Sequence, residues 1–255
     1  MVSVTFFGTS AAAPSRERGF SCIGIFADRD EHLLLDCGDG AIKNILRFGA
    51  DVNSISNILI SHYHSDHLSG LTQIIETMGI KKRQSDLNLF GPRGLNDYFS
   101  TVQKITNVAS NRKFRINLNE LSPNQRFSAG KNAGATTFEM DHTVATLGYR
   151  IELGGKIISF TGDTQPCASL TDLGRDADLF IHEATFLEKD VEKARPPKHS
   201  TPREAAGTAS TARAKRLVLT HVNDSYENPE QMISEAKHEF SNVAVAQDGL
   251  RIDLS

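Results

Sequence analysis

The sequence predicts one domain of mixed strands and helices, and three observations support that. A chain of 255 residues suits a single large domain and can bury a core without cross-links. Hydrophobic residues make up 39% and charged residues 23%, which excludes a disordered chain. Short strand-like apolar runs alternate with helical segments, and no repeat, linker or low-complexity tract separates them.

The elements follow in order. Runs at 2–7, 22–27 and 32–36 read as strands and 40–48 as a helix. Then come a strand at 57–61, a helix at 67–79, a strand at 87–90 and a helix at 94–106. Strands at 135–140, 147–152 and 156–161 follow, the last two joined through Leu153-Gly154-Gly155-Lys156, a tight hairpin turn. The remaining elements are a strand at 178–182, a helix at 202–213, a strand at 216–220, a helix at 229–239 and a strand at 243–246. Two helix starts are well marked. Thr201-Pro202-Arg203-Glu204 supplies an N-cap, a first-turn proline and a capping-box glutamate, and Asn228-Pro229-Glu230 repeats the logic.

Other classes are excluded in turn. No apolar run approaches the roughly 18 residues of a membrane helix, so no membrane role is expected. Cys22, Cys37 and Cys167 are odd in number and lack C-x-x-C spacing, as expected of reduced thiols. Ser10-Ala11-Ala12-Ala13 has the look of a signal-cleavage site. Yet residues 1–9 contain no Lys or Arg, and Val2, Val4 and Phe6 alternate as in a strand; the expectation is no signal peptide and a cytoplasmic address. With 28 Lys and Arg against 31 Asp and Glu, the net charge of −3 does not advertise nucleic-acid binding. The basic clusters at 81–83, 112–115, 193–198 and 213–216 read first as solvated faces.

Four apolar runs end on a residue able to do chemistry: Ile58 to Ser61 on His62, Ile157 to Gly162 on Asp163, Leu179 to Ile181 on His182, and Leu217 to Thr220 on His221. Buried strands of such sheets carry site residues at their carboxyl ends, so four such endings predict one convergent site. The sharpest motif is His62-Tyr63-His64-Ser65-Asp66-His67. In an extended segment residues two apart share a side, so His62 and His64 can grip one cation. The chain then turns into a helix, which aims Asp66 and His67 at a second. With His142, Asp163 and His221 two sites are complete: His62, His64 and His142 on one ion, Asp66, His67 and His221 on the other, and Asp163 bridging. His and Asp suit zinc, and also accept Mn or Fe. Two such ions roughly 3.5–4 Å apart would hold a bridging hydroxide as nucleophile.

His62-x-His64-x-Asp66-His67, followed by His142, Asp163 and His221, resembles the metallo-β-lactamase superfamily. The resemblance implies an α+β fold, a four-layer αββα sandwich with two Zn2+ at one edge, over the single domain 1–255. Further motifs narrow it. His182-Glu183-Ala184-Thr185 is similar to the HEAT motif of ribonuclease Z, the endonuclease that trims the 3′ end of precursor tRNA. His199-Ser200-Thr201 is similar to its HST motif, and Phe7-Gly8-Thr9 to the end of its first strand. Pro14-x-Arg16-x-Arg18-Gly19 is similar to its PxKxRN loop, with Arg for Lys at 16 and Gly for Asn at 19.

The resemblance implies catalytic roles for Asp66, as metal ligand and proton acceptor, and for Glu183 and His199, with Glu183 keeping His199 protonated as donor to the leaving 3′ oxygen. It implies that Arg16, Arg18, Lys198 and Thr201 face the substrate, although Thr201 also reads as a helix cap. Lys193 and Arg195 belong to the same basic loop. Family members commonly pair as homodimers. One departure stands out: many ribonuclease Z proteins insert a long tRNA-gripping arm between the strands around 147–151 and before Asp163, where this chain has only the turn 152–156. The leading expectation is thus a metal-dependent phosphodiesterase acting on precursor tRNA. The alternative is a hydrolase of small or cyclic phosphodiesters. A non-catalytic metal-bound RNA- or cofactor-binding protein is disfavoured, because no ligand or proton donor is missing.

Overall fold

The computed structural model describes residues 1–27, 31–108, 112–226 and 228–255. Its strands form two seven-stranded sheets. The first contains β1 (Val2–Gly8), β2 (Cys22–Ala27), β3 (Glu31–Leu35), β4 (Asn57–Leu59), β5 (Leu87–Pro92), β6 (Ile116–Leu121) and the last strand of the chain, β14 (Arg251–Leu254), in the order β14-β1-β2-β3-β4-β5-β6. The second contains β7 (Arg126–Ser128), β8 (Ala133–Met140), β9 (Thr146–Leu153), β10 (Lys156–Phe160), β11 (Leu179–Glu183), β12 (Leu217–Thr220) and β13 (Val243–Val245), in the order β13-β12-β11-β10-β9-β8-β7. Strands β3 to β6 pair in parallel, as do β10 to β13.

The inner faces of the sheets meet in one core. Val4, Phe6, Ile23, Ile25, Leu33 and Leu35 pack there with Tyr149, Ile151, Ile158, Phe160, Leu179 and Val218. Outside the first sheet lie α1 (Ala41–Arg47), α3 (Leu71–Ile80) and α4 (Leu95–Thr106), burying Ile45, Ile74, Ile75 and Phe99 against Leu34 and Ile58. Outside the second lie α5 (Ser169–Gly174), α7 (Pro202–Thr211) and α8 (Pro229–Lys237), burying Leu170, Ala205, Ala209 and Met232 against Phe180 and Leu219. This is the expected αββα order of layers. No described helix is long and apolar enough to cross a membrane.

The helix expected at 67–79 is divided into α2 (Ser65–Leu68) and α3. The Cys37 amide donates to the His67 carbonyl at 2.8 Å and the Gly70 amide to the Cys37 carbonyl at 2.9 Å, so the loop after β3 holds the break. The short helices α5 and α6 (Val191–Ala194) are additions to the sequence reading, as are β6, β7 and β14. The turn between β9 and β10 is the expected hairpin, with Gly154 and Gly155 at φ of 57° and 73°. Two bonds tie the sheets beside the first motif: the Leu147 amide donates to the Ser61 carbonyl at 3.0 Å, and the buried Tyr149 hydroxyl donates to the Ile60 carbonyl at 2.6 Å.

Candidate metal centre

The four strand ends converge as the sequence predicts, but only three deliver a donor to the centre. His62 follows β4, Asp163 follows β10 and His221 follows β12, while His182 on β11 turns away, its Nδ1 donating to the Glu183 carbonyl at 2.7 Å. Gly162 allows Asp163 its place. At φ 61° it takes a left-handed conformation, and a Cβ there would lie 2.8 Å from the Ser61 Cβ.

The donor atoms form two groups. In the first, His64 presents Nδ1 to His62 Nε2 at 3.1 Å and to His142 Nε2 at 3.2 Å; Asp163 Oδ2 stands 3.7 and 3.8 Å from those two Nε2 atoms. In the second, His221 Nε2 lies 3.3 Å from His67 Nε2 and 3.2 Å from Asp66 Oδ2. Asp163 Oδ2 stands 3.3 Å from His67 Nε2 and 3.4 Å from His221 Nε2, so one oxygen serves both groups. Its Oδ1 is buried and has no hydrogen-bond partner.

This arrangement fits metal ions. Nitrogens around a tetrahedral zinc, about 2.0–2.1 Å from it, lie roughly 3.3 Å apart, which is the spacing found here. Imidazole nitrogens facing one another are poor hydrogen-bond pairs, since one must carry the only proton. An orphaned carboxylate oxygen in a buried site calls for a cation in the same way.

The distal nitrogens settle which ring atoms face inward. His62 Nδ1 donates to Ser61 Oγ at 2.9 Å, and that hydroxyl donates to Asp36 Oδ2 at 2.8 Å. His67 Nδ1 donates to Asp36 Oδ2 at 2.7 Å, and the Ser61 amide donates to Asp36 Oδ1 at 2.7 Å. His142 Nδ1 donates to the Lys198 carbonyl at 3.2 Å, and His221 Nδ1 to Thr185 Oγ1 at 2.8 Å. Each of these four rings thus has Nδ1 engaged and Nε2 aimed at its group, the tautomer a metal ligand needs. Asp36 and His221 sit at φ 57°, a strained conformation for non-glycine residues that site residues often hold. Asp36 is absent from the sequence reading although its signal was present: it ends the apolar run Leu33 to Leu35, as the other site residues end theirs.

Glu183 and His199 adjoin the metal groups. His199 Nδ1 donates to Glu183 Oε1 at 2.8 Å. The carboxylate is fully buried and also accepts from the amides of Thr164 and Thr185, at 3.0 Å each, and from the Thr185 hydroxyl at 2.8 Å. Burial works against charge on His199, but Glu183, by its charge and its hydrogen bond, outweighs it and holds the imidazolium up to about 9. The His199 ring lies over those of His142 and His221, with centroids 5.1 and 5.3 Å apart. The Glu183-held imidazole therefore stands beside both groups.

The expected substrate contacts fare differently. Arg16 is exposed and lines a cavity of about 680 Å³ with Asn223 and Tyr226. Arg18 lines the same cavity but commits Nη1 to the protein, donating to Thr9 Oγ1 at 2.7 Å and to the Ala246 carbonyl at 2.6 Å. Thr201 is fully buried. It caps α7, accepting from the Glu204 amide at 3.3 Å and donating to Glu188 at 2.9 Å; the helix-cap reading holds and the substrate contact does not. Lys198 is half-exposed and donates to Asp141 at 2.7 Å. Arg195 pairs with Glu204, and Lys193 with Asp190 at 2.6 Å.

Comparison with known proteins agrees with this geometry. The β-lactamase superfamily domain matches residues 31–222. A ribonuclease Z of Gemmatimonas aurantiaca is 32% identical over 305 aligned positions that span 99% of this chain and 96% of the relative. Since 305 positions are aligned against a chain of 255 residues, the relative has at least 50 positions without a counterpart here. The crystal structure of human tRNase Z, short form, superposes with a TM-score of 0.86 at 27% identity, covering 99% of each chain. That of YhfI, a metallo-β-lactamase fold protein of Bacillus subtilis, gives a TM-score of 0.85 at 24% identity, covering 99% of this chain and 100% of the other, and shows the shared fold.

Proposed function

The chain belongs to the ribonuclease Z family of the metallo-β-lactamase superfamily, and from that premise we propose that it is a metal-dependent endonuclease that removes the 3′ trailer of precursor tRNA. The observation that carries this reading is the Glu183–His199 pair, set against two donor groups that share Asp163. In our reading two Zn2+ are bound within the one domain 1–255, the first by His62, His64 and His142, the second by Asp66, His67 and His221, with Asp163 between them; Mn2+ and Fe2+ suit the same donors. Such ions supply a nucleophile at neutral pH and stabilise charge on the phosphoryl oxygens.

The chain's own residues do the rest. Asp66, whose Oδ2 belongs to the second donor group, would accept the proton of the attacking water at its other carboxylate oxygen. His199 donates one from Nε2 to the departing 3′ oxygen and regains it from water, while Glu183 favours the imidazolium and fixes the ring through Nδ1. Asp36, Ser61, Thr185 and the Lys198 carbonyl hold the imidazoles in orientation. Arg16 meets a phosphate near the cleaved bond, with Lys198 available if it releases Asp141. We place the enzyme in the cytoplasm and expect it to act as a homodimer, as its family commonly does.

Incubation of the purified protein with a 3′-extended precursor tRNA tests the reading: release of the intact trailer supports it, and an uncleaved substrate overturns it. The second reading, hydrolysis of small or cyclic phosphodiesters, is favoured by one observation, the two-glycine turn where many relatives carry an arm. It predicts fast turnover of small diesters with tRNA left intact.

A further inference from the structure

The loop that bears Arg16 is closed internally by Ser15 but anchored mainly through a residue at the other end of the chain. Inside the loop, the Glu17 and Arg18 amides donate to Ser15 Oγ at 3.2 and 3.1 Å, and the Ser15 amide to the Arg18 carbonyl at 3.0 Å. Outward, the Gly19 amide donates to Asp248 Oδ2 at 2.7 Å. Arg18 donates to Thr9 Oγ1, and that hydroxyl donates in turn to Asp248 Oδ1 at 2.8 Å. Asn44 of α1 completes the set, donating to Asp248 Oδ2 at 3.0 Å and to the Phe7 carbonyl at 2.6 Å. Both carboxylate oxygens are thus engaged, and the loop is also fixed by Arg18 Nη1 on the Ala246 carbonyl at 2.6 Å and by the Thr9 and Ser10 amides on the Gly19 carbonyl at 2.9 and 2.8 Å.

Asp248 occupies the turn between β13 and β14, which joins the two sheets. The Ala246 amide of that turn donates to the Leu219 carbonyl of β12 at 2.8 Å, and β12 leads to His221. The Val222 amide donates to the Thr9 carbonyl at 2.9 Å. The loop therefore takes its position from the strand end that carries a metal-facing histidine. A Cβ at Gly19 would stand 3.1 Å from Asn44 Nδ2 and 3.4 Å from Asp248 Oδ2, so the clasp fills the space beside residue 19. This gives a physical setting for glycine where the related loop motif has asparagine.

We propose that Asp248, assisted by Asn44, is a positioning residue for the substrate: it clamps the 14–19 loop against the end of β12 so that Arg16 is presented to a substrate phosphate beside the metal centre. This rests on the ribonuclease reading and adds to it a device outside the recognised motifs. A preset cation loses less freedom on binding than one on a loose loop, so the benefit falls on binding and not on the chemical step.

Asp248→Asn and Asn44→Ala, alone and combined with Arg16→Ala, test this on precursor tRNA and on an activated p-nitrophenyl diester. Asp248→Asn is expected to raise KM for tRNA about tenfold with kcat within about twofold, and to change the small-diester kinetics by less than about twofold. Arg16→Ala and Asp248→Asn together should be no worse than Arg16→Ala alone, because both remove the same contact. Asn44→Ala removes one donor and keeps the carboxylate, so it should give a smaller rise in KM of the same kind even if Asp248→Asn folds poorly. The clasp is overturned if both single variants leave the tRNA KM unchanged, if they lower kcat on both substrates equally, or if Asp248→Asn multiplies the Arg16→Ala defect in full. A wild-type protein that turns over the small diester but not tRNA instead sinks the ribonuclease reading, and the clasp's role in RNA binding goes with it.

Discussion

The seven side chains of the two donor groups and the four expected to meet substrate are built differently. His62, His67, Asp163 and His221 are at most 3% exposed, and the distal nitrogens of His62, His67, His142 and His221 are each committed to a named acceptor. Among the residues expected to meet substrate, Arg16 has no hydrogen bond or ion pair to another described residue through its guanidinium, Lys198 has a half-exposed acidic partner, Arg18 commits Nη1 to the protein, and Thr201 is fully buried. The donors at the floor must be set in place before a metal arrives, and buried hydrogen bonds supply that rigidity. The rim meets a large, hydrated, flexible anion, so one exposed cation on a fixed loop is enough to bias its approach.

Breaking the floor should have the largest effect. His64→Ala and Asp163→Ala each remove a donor that nothing nearby replaces. Both should lower the bound metal from about two ions per chain and reduce activity by more than about a thousandfold. Elemental analysis alongside kinetics checks this; full activity in a protein free of metal after chelation would sink the two-ion reading.

The Glu183–His199 pair comes next. His199→Ala should cost about 10²–10⁴ in kcat on RNA, whose 3′ alkoxide needs a proton, and far less on an activated diester, whose leaving group does not. Glu183→Ala should behave alike and be non-additive with it, because Glu183 acts through His199. Equal losses on both substrates would make His199 a structural support of the metal site.

Asp36 sharpens the comparison from behind the ligands. Asp36→Asn keeps the shape but weakens the hold on His67 Nδ1 and on Ser61, and should cost about 10–100-fold in metal affinity. Metal titration into the stripped protein measures it. An unchanged affinity would show that ring orientation is set by packing alone.

The same contrast explains what was legible in the sequence. Metal donors come from a short menu of residue types, and His62 to His67 lie in one turn, so the pattern survives in one dimension. The central strands were legible because both faces are buried and the apolar runs are continuous. β6, β7 and β14 were not, since all three are sheet edges with half-exposed, mixed sequences such as Arg126 to Ser128. Partner choice at the rim was equally hidden. Nothing near Arg18 in the sequence signals that its guanidinium faces Thr9 and Ala246, and Thr201 gave a cap signal that the family likeness overrode.

The smallest effect separates Arg16, whose guanidinium has no partner among the described residues, from the ion-paired Lys193. Each phosphate neutralised by Lys or Arg adds about 0.9 to the slope of log affinity against log salt on duplex, and about 0.7 on single strands. Arg16 has no competing partner among the described residues, so Arg16→Ala should flatten the slope for precursor tRNA by one such step. Lys193 donates to Asp190 at 2.6 Å, so its charge is already answered within the protein, and Lys193→Ala should leave the slope within error. Filter binding from 50 to 200 mM salt resolves the two. A step nearer 0.9 puts the Arg16 phosphate in the acceptor duplex, and one nearer 0.7 in the single-stranded 3′ end. If Lys193→Ala flattens the slope as much as Arg16→Ala, the ion pairs of the rim open on binding and the distinction between free and paired cations fails. If the wild-type slope is itself near zero, no phosphate beyond the cleaved one is held, and the small-diester reading gains.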